Sequence, residues 1–459
     1  MAMDARTLAV SAHARLVARR VEVVFMFYPW IESQRAMLRP FVELASASAT
    51  MLRHPLSVFA QLPLSREVAA TLDLTHRIHK AYDKPAFAIA DFAHEGAQVA
   101  VREEAVLELP FCRLLRFRRY CADVSTLHAL DAQPKVLVVA PLSGHYATLL
   151  RDTVTSLVRD HDVYITDWTN AKLVPLAAGA FSLDDYVDYV KRFVRTLGER
   201  AHVIAVCQPA VPVLGAVALL AADGDVAPRS MTLMGGPVDA RCSPTSVNEL
   251  ATKRSLAWFE THMVHRVPVG FPGVGRRVYP GFLQHACFIA MNPDRHAGSH
   301  RDYFFDLLRD DHAAAHAHRD FYDEYNAVLD MAAEYYLGTV HTVFQEFELA
   351  RGTWRVAGQR VQPGRIERTA LLTIEGEHDD ITGIGQTAAA HRLCTGIADT
   401  QRAHHEIPGA GHYGIFSGRR FRETVYPMLR AFIASHTYLA ASTVVSVDVA
   451  RSASQRVAC

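Results

Sequence analysis

The stretch VIAVCQPAVP, residues 203–212, decides how the rest of this sequence is interpreted. Residues 202–206, apolar from Val203 onward, predict a buried strand, and the uncharged residues from 208 to 222 predict a helix directly after it. Residues 203–222 are long enough to span a membrane, but the two prolines inside them favour two buried elements joined by a turn. Cys207 would then lie on a sharp turn at the carboxyl end of a strand.

Short apolar stretches alternate with helical patterns on both sides of this turn. Strands are predicted at 135–140, 161–168, 202–206, 230–234, 369–375 and 403–407, with helices at 182–196, 208–222, 386–394 and 419–436. The helix at 182 begins with a capping box formed by Ser182 and Asp185. Each strand is short and mostly apolar on both faces, as expected for a mostly parallel sheet that helices cover on both sides.

The pattern divides the chain into six segments. They are a mobile extension (1–24), an N-terminal helical segment (25–95) with breaks at Pro40, Pro55 and Pro63, the first part of the α/β core (96–240), a large helical cap insertion (241–364), the second part of the core (365–437) and a disordered tail (438–459). The cap insertion carries 17 of the 42 aromatic residues of the chain, an excess that predicts a large apolar surface.

Composition excludes several classes of protein. The 459 residues hold 48 basic and 48 acidic side chains, so a net charge of zero argues against broad nucleic-acid binding. Seven cysteines at irregular spacing, without a signal-peptide pattern, predict reduced thiols in a cytoplasmic protein. No dinucleotide fingerprint or P-loop occurs, so no cofactor is expected. The spacing of His312, His316 and His318 would suit zinc, but without an HExxH motif no metal is expected.

Cys207 has the surroundings of a nucleophile. The strand–residue–helix order is that of G-x-S-x-G elbows, although Ala205 and Pro209 replace the two glycines. The positive end of a helix dipole favours the thiolate form of a cysteine. The backbone N–H of Gln208 would face a developing oxyanion, with a second donor from the loop after strand 135–140, near Leu142 or Ser143. The alternative is that Cys207 is one more buried structural thiol.

The residues downstream of Cys207 supply the partners that a nucleophile needs. A strand predicted at 369–375 leads to a loop with Asp379 and Asp380, and the next strand leads to His412 between glycines. Nucleophile, acid and histidine in this chain order, each after a strand, predict an α/β-hydrolase fold. His412 would take the proton of Cys207, and a carboxylate would fix its tautomer.

The sequence resembles the intracellular short-chain-length polyhydroxyalkanoate (polyhydroxybutyrate) depolymerases over residues 25–437. The resemblance is carried by VCQP at 206–209, GRRVYPG at 275–281, MNPDRH at 291–296, FYDEY at 321–325, AEYY at 333–336, EGEHDDI at 375–381 and GHYGIF at 411–416. It implies a nucleophilic Cys207, a basic His412 and an acidic Asp379, with Asp380 as the fallback.

The resemblance also implies a substrate and a location. The family hydrolyses 3-hydroxyalkanoate polyester through a thioester acyl-enzyme, in the cytoplasm and at the surface of polyhydroxyalkanoate granules. The residues themselves indicate acyl transfer and leave the substrate open. Two alternatives stay open as well: a polyester synthase-like acyltransferase, whose G-x-C-x-G box is absent, and a catalytically silent granule-surface protein, which would not need His412. No membrane span is expected, and the oligomeric state is left open.

Overall fold

The computed structural model describes residues 5–437, with side chains described from residue 27 onward. The chain begins with α1 (Ala5–Arg53), a 3-10 turn (Val58–Gln61) and α2 (Ser65–His79). Val42, Ala45 and Ala49 are buried where α1 packs on α2. The prediction that Pro40 ends a helix is wrong, because α1 continues through it; tertiary packing of a helix face offsets the lost backbone hydrogen bond.

The two predicted terminal segments are not tested by this structure. The mobile extension, residues 1–24, precedes the described side chains, and the tail, residues 438–459, lies outside the described residues. The helical segment predicted for residues 25–95 is helical as far as His79, and its last residues form a strand instead.

The first part of the α/β core alternates strands and helices. Its strands are β1 (Asp91–His94), β2 (Ala97–Leu109), β3 (Cys112–Tyr120), β4 (Lys135–Val139), β5 (Asp162–Trp168), β6 (Ala201–Val206) and β7 (Ser230–Met234). Its helices are α3 (Val124–Asp131), α4 (Arg151–Leu157), α5 (Leu183–Leu197) and α6 (Ala210–Ala222). Ser182 and Asp185 form the predicted capping box of α5. The two buried elements predicted within 203–222 are confirmed as β6 and α6.

Residues 241–364 are mostly helical, as predicted. The helices are α7 (Ser246–Lys253), α8 (Leu256–Met263), α9 (Gly281–Met291), α10 (Pro293–Leu308), α11 (His312–Tyr325), α12 (Ala333–Thr339) and α13 (Glu348–Arg351). Short strands join them: β8 (His265–Arg266), β9 (Arg277–Tyr279), β10 (Met331–Ala332), β11 (Arg355–Val356) and β12 (Gln359–Arg360).

The core resumes with β13 (Ala370–Gly376), α14 (Ala390–Leu393), β14 (Arg402–Ile407), α15 (Gly418–Arg420) and α16 (Tyr426–Thr437). The helix predicted for 386–394 is wrong in its first half. The amides of Gly385, Thr387 and Ala388 donate to the buried carboxylate of Glu375, so they are held in a turn rather than in a regular helix.

Within residues 5–437, nine strands form the central sheet in the order β1-β2-β3-β5-β4-β6-β7-β13-β14. The six strands from β5 to β14 are parallel, and β1, β2 and β3 run antiparallel at one edge. Because β4 lies between β5 and β6, the strand order reverses there, and such a reversal opens a crevice at the carboxyl ends of the strands. The fold class, an α/β-hydrolase with a mostly parallel sheet, is confirmed.

Candidate active site

Cys207 occupies a strained turn between β6 and α6. Its φ is +66°, a left-handed conformation that costs a side chain other than glycine roughly 1–3 kcal/mol. Two backbone hydrogen bonds fix the turn: the Cys207 amide donates to the Met234 carbonyl at 2.7 Å, and the Ala210 amide donates to the Cys207 carbonyl at 3.0 Å. This is the strand-to-helix turn that presents a nucleophile above the sheet.

The residues that replace the two expected glycines fit the turn. Ala205 is fully buried in β6. Pro209 has helical dihedrals (φ −56°, ψ −17°) directly before α6, where a missing N–H leaves no acceptor unpaired. Pro212 is the third residue of α6, so its absent N–H also belongs to the first turn.

His412 and Asp379 form a buried pair beside Cys207. His412 Nδ1 lies 2.7 Å from Asp379 Oδ2, and their side chains are 5% and 1% exposed. Burial alone would lower the pKa of His412, but the neighbouring Cys207 and Asp379 hold that pKa well above its ordinary value. The predicted nucleophile, base and acid therefore lie together.

The two candidate acids have different surroundings. Asp379 Oδ1 accepts hydrogen bonds from the amides of Ile381 (2.9 Å) and Thr382 (2.7 Å), so Oδ2 is left to face His412. Asp380 is exposed, and its Oδ2 accepts a hydrogen bond from Asn292 Nδ2 at 3.2 Å. The geometry therefore brings Asp379, and not Asp380, to the histidine.

The sheet order explains why two glycines follow β7. That strand lies between β6, which leads to Cys207, and β13, which leads to Asp379. A Cβ on Gly235 (φ +55°) would lie 2.8 Å from Ile415 Cδ1 and 3.3 Å from both His412 Cε1 and Asp379 Oδ2. A Cβ on Gly236 would lie 2.7 Å from the Cys207 carbonyl oxygen. Sequence reasoning missed both residues, although a double glycine directly after a strand was a visible signal.

The predicted oxyanion donors lie around Cys207 to different extents. Gln208 and Ser143 line the same cavity as the thiol, whereas the Leu142 side chain is buried in the core. None of the three amides donates a hydrogen bond to another described residue. Because β4 pairs directly with β6, the loop after β4 lies next to the cysteine turn. Amides without an acceptor are available to a developing oxyanion.

Residues of the insertion 241–364 hold the loop after β4 in place, which sequence reasoning did not predict. Gly144 has φ +108°, and its carbonyl accepts a hydrogen bond from the Leu329 amide at 2.6 Å. Gln284 Nε2 donates to the Leu329 carbonyl at 3.0 Å, and its Oε1 lies 2.9 Å from where a Gly144 Cβ would be. His145 stacks on Phe288, and burial lowers the pKa of His145 to about 4.

A cavity of about 620 Å³ opens above Cys207. This volume is in the range of small-molecule sites, and the lining is mostly apolar and aromatic. Representative lining residues from the insertion 241–364 are Leu250, Phe259, Phe288, Tyr336 and Phe344. An apolar acyl chain would fit such a wall.

No cluster of three or more possible metal ligands occurs among the side chains described from residue 27 to 437. His316 Nδ1 lies 2.7 Å from Asp320 Oδ2, and His318 stacks on Tyr303, so the histidines of α11 do not converge. No helix in the described part of the chain has both the length and the apolar character that crossing a membrane requires.

The fold is that of an α/β-hydrolase, and a match to a family model indicates a narrower class. Residues 235–437 match the family described as "PHB de-polymerase C-terminus". Over these residues the chain is similar to the PHB depolymerase family, and this match supports a hydrolase of ester bonds. No curated protein sequence matches the chain.

Several solved structures resemble the chain. A hydrolase from Pseudomonas aeruginosa is 13% identical (TM-score 0.39), covering 76% of this chain and 99% of its own. A monoacylglycerol lipase from Paleococcus ferrophilus is 14% identical (TM-score 0.37), covering 66% of this chain and 96% of its own. An esterase from Thermogutta terrifontis is 13% identical (TM-score 0.36), covering 76% of this chain and 98% of its own.

Proposed function

We propose that the protein hydrolyses poly(3-hydroxybutyrate) and related 3-hydroxyalkanoate polyesters through a cysteine nucleophile. The observation that carries the proposal is the arrangement of Cys207 (φ +66°) next to His412, whose Nδ1 is 2.7 Å from Asp379 Oδ2. The match of residues 235–437 to the PHB depolymerase family supports the polymer as substrate.

In the first half of the reaction, His412 accepts the thiol proton and the sulfur of Cys207 attacks an ester carbonyl. The amides of Gln208 and of Ser143 or Leu142 stabilise the oxyanion. When the tetrahedral intermediate collapses, the ester C–O bond breaks, and His412 returns the proton to the leaving alkoxide. The products are a shortened chain with a free hydroxyl group and a thioester on Cys207.

In the second half, His412 deprotonates a water molecule that attacks the thioester. Collapse breaks the C–S bond, restores the thiol and releases a carboxylic acid. Asp379 keeps the Nδ1–H of the imidazole oriented, so that Nε2 faces the sulfur or the water in both halves. We further propose that residues 241–364 act as a cap over the cavity and that the protein works in the cytoplasm at the surface of polyhydroxyalkanoate granules.

The test is acid release from amorphous poly(3-hydroxybutyrate) granules by the wild type and by Cys207→Ala. Loss of a triad nucleophile costs on the order of 10⁶-fold, so the variant should show no measurable release. Cys287→Ala is the matched control, because Cys287 lines the same cavity without contacting His412, and it should retain activity. Retained activity in Cys207→Ala with normal circular dichroism would contradict the proposal.

The same assay separates the two alternative functions. A synthase-like acyltransferase would lengthen polyester chains when supplied with hydroxyacyl-CoA, and the depolymerase should not. A silent granule-surface protein would release no acid in any form of the chain. Acid release by the wild type that is lost in Cys207→Ala is therefore the result expected only of the depolymerase.

A further inference from the structure

The hairpin formed by α1, its following turn and α2 carries an unusual amount of exposed apolar surface. Fourteen of the 25 large apolar side chains exposed in the described part of the chain lie between residues 27 and 78. On α1 they include Trp30 (54% exposed), Phe41 (70%) and Leu44 (63%). Apolar surface collected in this way on one element marks a site of interaction.

The exposed surface continues from α1 onto the turn that joins the two helices. Residues 54–65 contain no Asp, Glu, Lys or Arg. Leu56 is 88% exposed, Val58 75% and Phe59 46%. The side of α1 and the turn together are called the hairpin surface below.

Polar contacts fix the hairpin to the rest of the molecule, so that its exposure is not the result of a detached helix. Tyr28 is 1% exposed and donates to Asp330 Oδ2 at 2.6 Å. At the other helix, Tyr303 Oη donates to Asp73 Oδ1 at 2.6 Å, and Arg77 pairs with Asp323 at 3.0 Å. The hairpin is therefore held at both of its helices, and its outer side remains open.

The hairpin is also connected to the candidate active site. Phe27 and Tyr28 of α1 contact the ring of Phe282, in the first turn of α9, at centroid distances of 5.8 and 5.2 Å. The same helix carries Gln284 and Phe288, which line the cavity above Cys207. A partner bound by the hairpin would thus lie against the outer side of α9, whose inner side forms part of the cavity wall.

The charges of the hairpin indicate what covers it. Residues 27–79 contain five arginines, no lysine and four acidic residues, and Arg35 and Arg53 are already paired within the hairpin, with Glu32 and Asp73. A surface that binds anionic lipid carries a cluster of basic residues, which this one lacks. A helix surface that packs against a partner helix has charged residues at its flanks. The exposed side of α1 is flanked by Leu38, Pro40 and Ala47 instead, which argues against a helical partner.

We propose that the hairpin surface docks the protein on the uncharged, apolar surface of a water-insoluble polyester particle. This inference rests on the proposed function and adds the surface by which the enzyme holds its substrate. An uncharged polymer complements a surface that lacks a cluster of charges, and apolar area removed from water provides the binding free energy. The cavity above Cys207 would then remain close to the particle after each cleavage.

The experiment measures sedimentation of the full-length protein with amorphous poly(3-hydroxybutyrate) granules, in a Cys207→Ala background so that the granules are not consumed. Two independent triple variants are compared: Trp30→Ser/Phe41→Ser/Leu44→Ser and Leu56→Ser/Val58→Ser/Phe59→Ser. Each removed side chain is worth roughly tenfold in affinity, so each triple variant should bind at least about 100-fold more weakly. The control Val269→Ser/Phe305→Ser/Phe321→Ser removes exposed apolar side chains elsewhere and should bind within about threefold of the parent.

Three results would overturn the docking proposal. The first is granule binding by both hairpin variants that equals the control. The second is binding of the parent to phosphatidylcholine–phosphatidylglycerol vesicles as tightly as to granules. The third is a parent dimer in light scattering that either hairpin variant converts to a monomer. Failure of the proposed function is a different observation, namely no acid release by the protein with Cys207 intact, and it leaves the sedimentation result unaffected.

Discussion

Replacing Asp379 by Asn should reduce the rate of ester hydrolysis by about 10³-fold, and the structure gives the reason. Asp379 Oδ1 accepts two backbone hydrogen bonds, from the amides of Ile381 and Thr382, and Oδ2 faces His412 Nδ1. An asparagine must place its carbonyl oxygen toward the two amides, since its NH₂ cannot accept from them. The NH₂ group then faces Nδ1 and forces the proton onto Nε2, the atom that should take the thiol proton.

The magnitude follows from comparison with a serine triad. There the wrong imidazole tautomer costs about 10⁴-fold, and a thiol is easier to ionise than a hydroxyl, so about 10³-fold is expected, or roughly 4 kcal/mol in the barrier. The loss of one of the two neighbours that raise the pKa of His412 acts in the same direction. The assay is the initial rate of acid release at equal concentrations of folded enzyme.

Asp380→Asn is the matched control for this prediction. Asp380 is exposed and its one described partner is Asn292, so the rate should change by less than about threefold. If Asp380→Asn is the slower variant, or if Asp379→Asn retains a rate within about threefold of the wild type, the assignment of the acid is refuted.

Two further predictions concern stability. Gly235→Ala should lower both the free energy of unfolding and the activity, because the new Cβ would lie 2.8 Å from Ile415. Gly224→Ala is the control: Gly224 has φ +66° and nothing within 4 Å of the new Cβ, so the variant should lose only the roughly 1–2 kcal/mol of backbone strain and keep its activity. Equal losses of activity in the two variants would contradict this prediction. Burial, His300 and Arg77 lower the pKa of His318 to about 4, so between about pH 6.5 and pH 4 the unfolded state binds a proton that the folded state does not. As the pH falls from 7 to 4.5, the free energy of unfolding of His318→Phe, measured in denaturant titrations, should therefore rise by roughly 1–2 kcal/mol relative to that of the wild type. A difference between the two proteins that does not change with pH would contradict this prediction.

Local patterns were sufficient to predict the parts of the fold that local chemistry determines. The strand before Cys207, the helix after it and the capping box of Ser182 and Asp185 all follow from the sequence around each element. The order of nucleophile, acid and histidine after successive strands predicted which residues the sheet would bring together. Parallel strands with a known order leave few other arrangements for their carboxyl ends.

Long-range contacts explain what sequence reasoning missed. Pro40 was expected to end a helix, but packing of α1 on α2 carries the helix through it. The turn at 385–388 depends on Glu375, a residue buried ten positions earlier. Gln284 packs against the loop of Gly144, although the two residues are 140 positions apart in the sequence. A single sequence contains no local signal for such a contact.

The most direct test of the account is the chemical identity of the acyl-enzyme. The protein is mixed with a 3-hydroxybutyrate oligomer, quenched in acid within its first turnovers and digested for mass spectrometry. We predict a 3-hydroxybutyryl group, or a short oligomer of it, on Cys207, in a linkage that hydroxylamine cleaves as it does a thioester. An acyl group on a serine instead, or turnover that continues in Cys207→Ala, would contradict the central claim that Cys207 is the nucleophile.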